Sequence, residues 1–440
     1  MKKTENYDII VVGGGTAGLF AAISSAKAGA KTILIEQKEH LGGLISVGMG
    51  IGGVFDAKGN QVISGIVSEL IQKISNTHAG LGVVSIDNHD RWIPSVISVD
   101  PESMKQIAFD MLNESGCQLL LRTTFVDTIT ENNLIKGINV VYAGQKFSLF
   151  CKTIIDATGN ADVAASANAE TMIGDEHGEH QSQSCVIRIS NVKTDEFVAY
   201  MNNTINTNAR ARWTIEEAAC RGGGDGYWLP WKGIPNVNLP HTCGIYFHGN
   251  MGDIFINATH IEIDPLDPFA VSNGIIELRK QANDICGFLK SKIPGFKDAY
   301  LSNVYEFGVR DSRRVVGEYV MTLQDMEQQR VFEDVVCRGA YPPDIHKSFG
   351  NVHINTTGYF NYEIPYRAII AKDFDNLLMA GRCISATFNA ASGIRGMGPC
   401  IATGQAAGIA AALAVSNGVT PKKLNTQQLQ QALRLEGVIL

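Results

Sequence analysis

Three glycines close to the N-terminus have the spacing of a phosphate-binding turn. Gly13, Gly15 and Gly18 lie between an apolar run at residues 7–12 and a stretch of small residues at 17–28. At this spacing the first glycine permits a tight turn, the second lets the backbone approach a pyrophosphate, and the third lets a helix pack closely on a strand. Free N–H groups at the start of that helix attract phosphate oxygens. The pattern therefore predicts a dinucleotide-binding turn.

An acidic residue follows at the distance expected of a ribose ligand. Glu36 comes 18 residues after Gly18, at the end of a second strand pattern at residues 31–35. An acid at this place accepts hydrogen bonds from ribose hydroxyls and repels a 2′-phosphate. FAD or NAD is therefore favoured over NADP. The residues predicted to bind the cofactor in this unit are Gly13, Gly15, Thr16, Ala17, Gly18, Glu36 and Gln37.

Further glycine-containing segments favour FAD over NAD. A Gly-Gly pair at 42–43 follows the acid directly, which is unusual in dehydrogenases that bind only NAD. Near the C-terminus, a Gly-Arg pair at 381–382 follows a buried-strand pattern, and a Gly-Pro pair at 398–399 opens a helix. The N-terminus of such a helix can stabilise negative charge on a reduced flavin. The alternative is a plain helix start with proline in its first turn.

The elements that must position these residues indicate an α/β fold. Apolar strand patterns at 7–12 and 31–35, and a third that ends in the turn at 157–159, are typical of a buried parallel sheet. The buried-strand pattern returns at 374–385 and precedes an alanine-rich helix at 401–415. The end of the chain is therefore expected to complete the same sheet.

The length of the chain and a change in composition predict two domains. At 440 residues the chain is long for a single hydrophobic core. We predict a discontinuous Rossmann-type FAD-binding domain of residues 1–171 and 346–440. Residues 172–345, in which Trp, Tyr, Pro and His are denser, are predicted to form an inserted mixed α+β substrate domain.

Composition and charge argue against several classes of protein. The net charge is −7 without a long basic run, so no nucleic-acid partner is expected. None of the nine cysteines has C-x-x-C spacing, and the acidic and histidine residues at 175–180 are interpreted as a solvated loop, so no metal site is predicted. The N-terminal apolar run is too short for a signal peptide, and no apolar stretch reaches about 20 residues. The expectation is a soluble, cytoplasmic protein without a membrane partner.

At this point the chain resembles a known family, the FAD-dependent oxidoreductases of the glutathione-reductase-like Rossmann class, near the fumarate reductase flavoproteins. The resemblance covers nearly the whole chain. The first and third of the matching stretches are shared by many flavoproteins, and the later ones are more particular to this family. They are DIIVVGGGTAGLFAA, EQKEHLGG, IIDATGNADVAA, GVRDSRRVVGEYVMT, YPPDIH, IPYRAII and NLLMAGRCIS with GQAAGIAAALA.

The resemblance implies a role for each cofactor residue. Gly13, Gly15 and Gly18 would hold the pyrophosphate, and Glu36 the adenosine ribose. The backbone of Val126 would contact adenine. Gly42 and Gly43 would lie along the flavin side of the cofactor. The second glycine turn near the dinucleotide would be formed by Ala157, Thr158 and Gly159. The ribityl and isoalloxazine end would be formed by Gly381, Arg382, Gly398 and Pro399. His40 lies near the place of a covalent flavin link in fumarate reductase relatives, but the surrounding pattern is missing, so non-covalent FAD is predicted.

Candidate substrate residues lie in the later motifs. Arg310, Arg313 and Arg314 are close enough in sequence to bind a carboxylate together. The alternative is salt-bridging with Asp311 and Glu318. These possibilities are evenly matched.

A second group of candidates follows in the YPPDIH motif and beyond. Tyr341, Asp344 and His346 lie in a proline-containing loop suited to proton transfer, unless the loop merely joins the two domains. Arg395 precedes the Gly-x-Gly-Pro turn and can reach the flavin or a substrate anion. We therefore predict Arg310, His346, Tyr341 and Arg395 as catalytic residues. Aromatic residues at 227–231 suggest a wall over a pocket.

The predicted reaction is hydride transfer between flavin N5 and a small organic substrate, with a carboxylic acid as one candidate. A second nucleotide motif and a C-x-x-C pair are missing, so an external electron donor or acceptor is expected. One alternative is a flavin-dependent RNA-modifying protein, against which the acidic balance counts. The other is a non-redox use of FAD in hydration or isomerisation.

Overall fold

The structure, a computed structural model, describes residues 5–85, 95–204, 244–246, 248, 252–347 and 360–440. The helices are α1 (Thr16–Lys27), α2 (Ile66–Thr77), α3 (Pro101–Ser115), α4 (Asp162–Ser166), α5 (Thr194–Thr204), α6 (Pro268–Lys292), α7 (Leu323–Glu327), α8 (Phe388–Ile394), α9 (Met397–Ser416) and α10 (Thr426–Leu435). The strands are β1 (Glu5–Val12), β2 (Thr32–Ile35), β3 (Gly82–Ser85), β4 (Ser95–Ser98), β5 (Gln118–Leu120), β6 (Thr124–Glu131), β7 (Leu134–Tyr142), β8 (Gln145–Asp156), β9 (Thr171–Met172), β10 (Ile187–Ser190), β11 (Gly244–Tyr246), β12 (Ile254–Asn257), β13 (Tyr300–Val304), β14 (Arg314–Val315), β15 (Val335–Gly339), β16 (Tyr362–Pro365) and β17 (Leu377–Met379).

A seven-stranded sheet lies at the centre, in the order β5-β2-β1-β8-β7-β6, with β17 paired to the end of β8. Strands β5, β2, β1 and β17 and the second half of β8 run parallel, whereas β6, β7 and the first half of β8 form an antiparallel meander. Ile9, Ile10 and Val11 are fully buried, as in strands covered on both faces. The predicted α/β class and the return of the C-terminal segment to this sheet are confirmed.

Helices α1 and α9 pack against each other at very short range. A β-carbon placed on Gly404 would lie 2.3 Å from the carbonyl oxygen of Ala17, and one on Gly408 would lie 2.3 Å from that of Ala21. Glycine at these positions lets the two backbones touch. The long glycine- and alanine-rich helix therefore fixes the position of the helix that follows the first glycine turn.

Helix α9 is longer than the sequence predicted. It begins at Met397 rather than after Pro399, because Gly396 is the N-cap and proline is tolerated in the first turn. Among the described residues it is the one helix long and apolar enough to cross a membrane, which corrects the expectation that no stretch has that length. Most of it is buried inside the protein, as in the core helix of a globular fold.

A second hydrophobic core is built on a smaller antiparallel sheet in the order β11-β12-β10-β13. Alternate residues of its strands point into this core, for example Ile187 and Ile189 of β10. Helix α6 covers the sheet with a buried stripe that includes Leu278, Ala282 and Ile285, at helical spacing. This part of the chain contains both strands and a helix, in agreement with the predicted mixed α+β composition.

The proposed domain boundaries stay a prediction. The second core takes most of its residues from 185–299, whereas Val315 and Val336 pack in the first core. The segment that contains the Gly-Gly pair includes one short 3-10 helix, at Gly43–Ser46. The aromatic residues at 227–231 lie outside the described residues.

Candidate active site

A cleft of about 730 Å³ lies at the carboxyl ends of four parallel strands of the large sheet. Ligands of open α/β sheets bind at this edge, and the volume is within the range of small-molecule sites. The strands that end at the cleft are β1, β2, β8 and β17. The predicted cofactor residues that line it are Gly13, Gly15, Thr16, Ala17, Glu36, Gln37, Gly43, Val126, Ala157, Thr158, Gly159, Gly381 and Arg382.

The three glycines of the first turn have different surroundings. Gly13 has a φ of +96°, and a β-carbon there would lie 2.6 Å from the carbonyl oxygen of Ala157. A β-carbon on Gly18 would lie 1.7 Å from the carbonyl oxygen of Gly13, so this residue serves the packing of α1 and does not line the cleft. A β-carbon on Gly15 would meet nothing within 4 Å. Gly15 therefore leaves open space beside the N-terminus of α1, which is where a phosphate group fits.

Glu36 ties the second strand to the glycine turn. Its carboxylate is buried and accepts hydrogen bonds from the backbone nitrogens of Gly14 at 2.6 Å and Lys38 at 2.8 Å. Two bonds leave further acceptor positions on the carboxylate. Since Glu36 also lines the cleft, these positions are placed for hydroxyl donors.

The Gly-Gly pair lies directly against this turn. Gly42 donates its N–H to Gly14 O at 2.9 Å and accepts a hydrogen bond from Thr16 Oγ1 at 2.9 Å. Gly42 itself lies behind the cleft wall, and Gly43 faces the cleft close to the α-carbon of Gly15.

His40 is engaged by an acid from a distant part of the chain. Its Nε2 lies 2.5 Å from Glu306 Oε1, and this bond together with Lys38 lowers the pKa of Glu306 to about 2. His40 lines the cleft. From the sequence it was considered only as the place of a covalent flavin link, and that link was not predicted.

Arg382 connects three loops that line the cleft. Its Nε donates to Gly159 O at 2.8 Å, its guanidinium contacts Val309 O, and Nη2 donates to Asn160 Oδ1 at 2.8 Å. Burial lowers the pKa of this guanidinium. Arg382 therefore holds the loop after β8 against the loop before β14.

The two glycines of the Gly-x-Gly-Pro segment serve close packing. A β-carbon on Gly396 would lie 2.6 Å from Cγ of Tyr341, and one on Gly398 would lie 2.7 Å from the carbonyl of Gly53. Neither Gly398 nor Pro399 lines the cleft, but their neighbours Met397 and Cys400 do.

The three arginines of the GVRDSRR motif do not act as one cluster. Arg313 lines the cleft and pairs with Asp162 at 2.5 Å, and Arg314 is buried with backbone carbonyl partners. Arg310 donates to Ser182 O at 2.7 Å. The alternative partners are occupied elsewhere, because Asp311 binds His180 at 2.9 Å and Glu318 pairs with a lysine.

The structure brings Arg310, Asp344, His346 and Arg395 together. Ser182 links Arg310 to this group, because its carbonyl accepts from Arg310 Nη1 at 2.7 Å and its N–H donates to the carbonyl oxygen of His346 at 2.9 Å. His346 Nε2 lies 2.8 Å from Asp344 Oδ2, and Arg395 Nη2 donates to the carbonyl oxygen of Asp344 at 2.7 Å. Burial and the charge of Arg310 lower the pKa of His346 to about 4. The imidazole is therefore neutral at neutral pH and donates its Nε2 proton to the carboxylate, which leaves Nδ1 as a base.

The charges around Asp344 keep its carboxylate ionised. Burial alone would raise its pKa, but the hydrogen bond from His346 and the charges of Arg395 and Arg310 hold it well below its usual range. Burial and Asp344 raise the pKa of Tyr341, whose ring packs over Gly396. The Tyr341 phenol is therefore protonated at neutral pH.

Several buried polar atoms in this region have no hydrogen-bond partner among the described residues. They are Nδ1 of His346, Nε of Arg395, Nε2 of Gln181 and both ring nitrogens of His260. Sequence reasoning missed Gln181 and His260. The available signal was weak: each polar residue lies just outside a strand of the second core, before β10 and after β12.

Cleft residues that the sequence analysis did not name mostly flank the ends of the parallel strands. They are Val12, Gly14, Ile35, Lys38, Leu44, Thr123, Thr124, Phe125, Asn160, Asp162, Ala165, Ser166, Val309, Ala380, Met397 and Cys400. Once β1, β2, β8 and β17 are recognised as neighbours, the residues after each strand are candidates.

The fold and the cleft define a Rossmann-type dinucleotide-binding protein. The sequence model of the FAD dependent oxidoreductase family matches residues 8–433. The chain belongs to this family, which confirms FAD as its cofactor and oxidoreductase as its class.

Curated relatives match part of the chain. A digeranylgeranylglycerophospholipid reductase 2 of Methanococcoides burtonii is 26% identical over 213 residues, which cover 44% of this chain and 48% of that protein. The tRNA uridine 5-carboxymethylaminomethyl modification enzyme MnmG of Streptococcus pyogenes is 30% identical over 164 residues, 36% of this chain and 24% of that protein. The chain thus spans about half the length of the reductases that it matches.

Solved structures agree with the fold over almost the whole chain. A geranylgeranyl bacteriochlorophyll reductase-like protein from Thermoplasma acidophilum matches 98% of this chain and 83% of its own, with a TM-score of 0.52 and 14% identity. The halogenase PltM matches 97% of this chain and 73% of its own, with a TM-score of 0.51 and 12% identity. Similarity at this level of identity shows the fold alone.

Proposed function

We propose that the protein transfers a hydride between bound FAD and a small organic acid. The observation that carries this proposal is the position of Arg395. It lines the cofactor cleft and also contacts Asp344, the partner of His346. A base and two arginines thus lie next to the cleft. When bound, FAD supplies the two-electron chemistry at flavin N5.

We place the adenosine end of FAD near Glu36 and Val126 and the flavin end near Arg395. The pyrophosphate fits the open space beside Gly15, where the N–H groups of α1 begin. We place Gly43 and Arg382 along the cofactor between the pyrophosphate and Arg395. Non-covalent attachment is part of the proposal, because Glu306 already engages the His40 ring.

On the substrate side, the residues divide the work of binding and proton transfer. Arg310 and Arg395 would hold a carboxylate by charge-assisted hydrogen bonds. His346 Nδ1 would accept a proton, while Asp344 orients the ring and stabilises the imidazolium that forms. Tyr341, kept protonated by burial, can only donate a hydrogen bond or a proton.

We propose further that a separate electron donor or acceptor completes the cycle, and that the protein acts in the cytoplasm without a nucleic-acid or membrane partner. The net charge of −7 supports the absence of a nucleic-acid partner. RNA modification and a non-redox use of FAD are the alternatives if organic acids leave the redox state of the flavin unchanged.

Anaerobic mixing of the FAD-loaded protein with candidate acids tests the proposal. We expect at least one hydroxy, amino or saturated acid to bleach the oxidised flavin, or one unsaturated or oxo acid to reoxidise the reduced flavin. The variant His346→Gln should lose most of this rate and keep the flavin spectrum. If no organic acid changes the redox state of the flavin in either direction, the proposal fails.

A further inference from the structure

A group of largely buried polar side chains, which we call the chamber, adjoins Arg395, a residue that lines the cleft. Gln181 Oε1 accepts from the backbone N–H of His346 and from Arg395 Nη2, each at 3.4 Å. Gln181 is thus linked both to Arg395 and to the loop that contains Asp344.

His260 completes the chamber from the second core. Its neighbour Ile261 exchanges backbone hydrogen bonds with Gln183 at 2.6 and 2.9 Å, and Gln183 Oε1 accepts from the backbone N–H of Arg310 at 2.7 Å. Burial and the charge of Arg310 lower the pKa of His260 to about 4, so its ring is neutral at neutral pH.

The His260 segment is held rigidly while its side chain is left without partners. Gln281 of α6 accepts from the backbone N–H of His260 at 2.8 Å and donates to its carbonyl at 2.9 Å. Yet neither ring nitrogen has a hydrogen-bond partner among the described residues, and His260 is only 6% exposed. Gln181 is fully buried, and its Nε2 also has no hydrogen-bond partner among the described residues. A buried polar group without a partner destabilises the folded protein, and a bound ligand can supply the partner that the described residues do not.

The charges of the chamber define the charge of that ligand. Arg310 and Arg395 contribute two positive charges and Asp344 one negative charge. The neighbouring Asp311 is not part of this count, because it binds His180 at 2.9 Å and the buried guanidinium of Arg314 opposes its charge. The remaining residues of the chamber are neutral, so the net charge is +1. A bound monoanion would neutralise it, whereas a dianion or a neutral molecule would leave a buried charge uncompensated.

The unpaired atoms define the functional groups of the ligand. Three of these atoms are donors: Arg395 Nε, Gln181 Nε2 and one His260 nitrogen. A carboxylate and a neighbouring oxygen can accept hydrogen bonds from them. His346 Nδ1 and the other His260 nitrogen are acceptors, which a carboxylate cannot satisfy because it has no proton to donate. The ligand must therefore also carry a donor, and a neutral hydroxyl supplies one without changing the charge.

We propose that the chamber formed by Gln181, His260, Arg310, His346 and Arg395 recognises a monocarboxylate with a hydroxyl group on the neighbouring carbon. This inference rests on the proposed function, and it names the substrate class of the same site. The two arginines bind the carboxylate. Gln181 donates to it or to the hydroxyl oxygen, and His346 Nδ1 accepts the hydroxyl proton in a hydrogen bond. His260 and Gln181 act as specificity-determining residues.

Calorimetric titration of the FAD-loaded protein with α-hydroxyisobutyrate tests the proposal. This acid has no hydrogen on the carbon that bears its hydroxyl, so it binds without being oxidised. Each comparison ligand exchanges one group. Isobutyrate has a hydrogen in place of the hydroxyl, and α-hydroxyisobutyramide has an uncharged amide in place of the carboxylate. In α-aminoisobutyrate, a zwitterion, an ammonium replaces the hydroxyl, and in dimethylmalonate, a dianion, a second carboxylate replaces it. We expect α-hydroxyisobutyrate to bind at least about tenfold more tightly than each of the others. Equal or tighter binding of the amide, the zwitterion, the dianion or isobutyrate would overturn the inference.

Variants separate recognition from folding. Gln181→Leu and His260→Phe should each weaken α-hydroxyisobutyrate about tenfold or more, because a buried donor or acceptor of the ligand loses its partner. Without ligand, both variants should unfold at the same temperature as the parent protein or higher. A drop in the unliganded unfolding temperature would show that these side chains have partners within the protein, and would contradict their assignment. The exposed His177→Asn is the matched control and should change neither quantity.

The result is independent of the redox test. If α-hydroxyisobutyrate binds with the expected ranking but no acid bleaches the flavin, the recognition site stands and the hydride-transfer proposal fails. If acids bleach the flavin but the ranking is absent, only the substrate class is wrong.

Discussion

At the scale of the residue, the glycines of the first turn show how one motif combines different requirements. Gly13 needs a left-handed φ, Gly18 needs the absence of a side chain, and Gly15 has free space around its α-carbon. The three positions should therefore respond differently to the same substitution.

We expect Gly15→Ala to fold normally and to bind FAD at least about tenfold more weakly, because its methyl group would occupy the space assigned to the pyrophosphate. Gly18→Ala should instead lower the free energy of unfolding, by about 3 kcal/mol, because its methyl group would overlap the carbonyl of Gly13. FAD titration and urea unfolding of the apoprotein measure the two effects. Gly287→Ala, on an exposed face of α6 with open space around it, is the control. If Gly15→Ala lowered the free energy of unfolding of the apoprotein as well as the affinity for FAD, the assignment of the space beside Gly15 to the pyrophosphate would be contradicted.

The pair formed by His346 and Asp344 gives the second prediction at this scale. His346→Gln should lower the rate of flavin reduction by a factor of about 10²–10⁴, the usual contribution of a general base. Stopped-flow spectroscopy under anaerobic conditions measures the rate, and the flavin spectrum shows that the cofactor site is intact. An unchanged rate would remove His346 from the proton transfer.

At the scale of the element, the contact between α1 and α9 positions the cofactor site. Gly404 and Gly408 bring α9 onto the backbone of α1 at Ala17 and Ala21. Because α1 begins at the glycine turn, displacement of this helix should be felt in the cleft.

We expect Gly408→Val to lower the free energy of unfolding by about 2 kcal/mol or more and to weaken FAD binding as well, since the side chain would force the helices apart. Thermal unfolding and FAD titration measure the two effects. Ser416→Ala, on the exposed end of α9, should leave both unchanged. A Gly408→Val variant with the stability of the parent would show that the helices can move apart without cost.

The elements also show what the sequence can and cannot predict. The first βαβ unit was predictable because the strand, the glycines, the helix and Glu36 are local in sequence and each has a distinct pattern. The start of α9 was misplaced, because proline in a first helical turn resembles a helix boundary. The chamber was predicted only in part: His346 and Arg395 stand in motifs, whereas Gln181 and His260 become neighbours of Arg310 only through the packing of the two cores.

At the scale of the whole molecule, three histidines couple folding to pH. Burial lowers the pKa of His248, His260 and His346 to about 4 each, against an ordinary value of about 6.5 in the unfolded chain. As the pH falls through this interval, the unfolded chain takes up protons that the folded protein does not. The folded state is therefore stabilised at neutral pH and loses this stability on acidification. His180, whose pKa is raised by Asp311, acts in the opposite direction.

We expect the free energy of unfolding to fall by several kcal/mol, on the order of 1–3 for each of the three histidines, between pH 6.5 and pH 4. Urea unfolding at a series of pH values measures the slope. His248→Gln should reduce the slope by removing one of the three groups. A free energy of unfolding that is constant over this interval would show that the histidines are charged in the folded protein.

The position of FAD relative to the arginine and histidine residues is the central claim, and a crystal structure of the FAD-loaded protein tests it most directly. We expect the pyrophosphate beside Gly15, the ribose at Glu36, and the flavin ring at the Arg395 end, with Arg310, Arg395 and His346 within reach of a substrate at N5. A flavin bound in the reverse direction, or an N5 edge surrounded by uncharged residues, would contradict it.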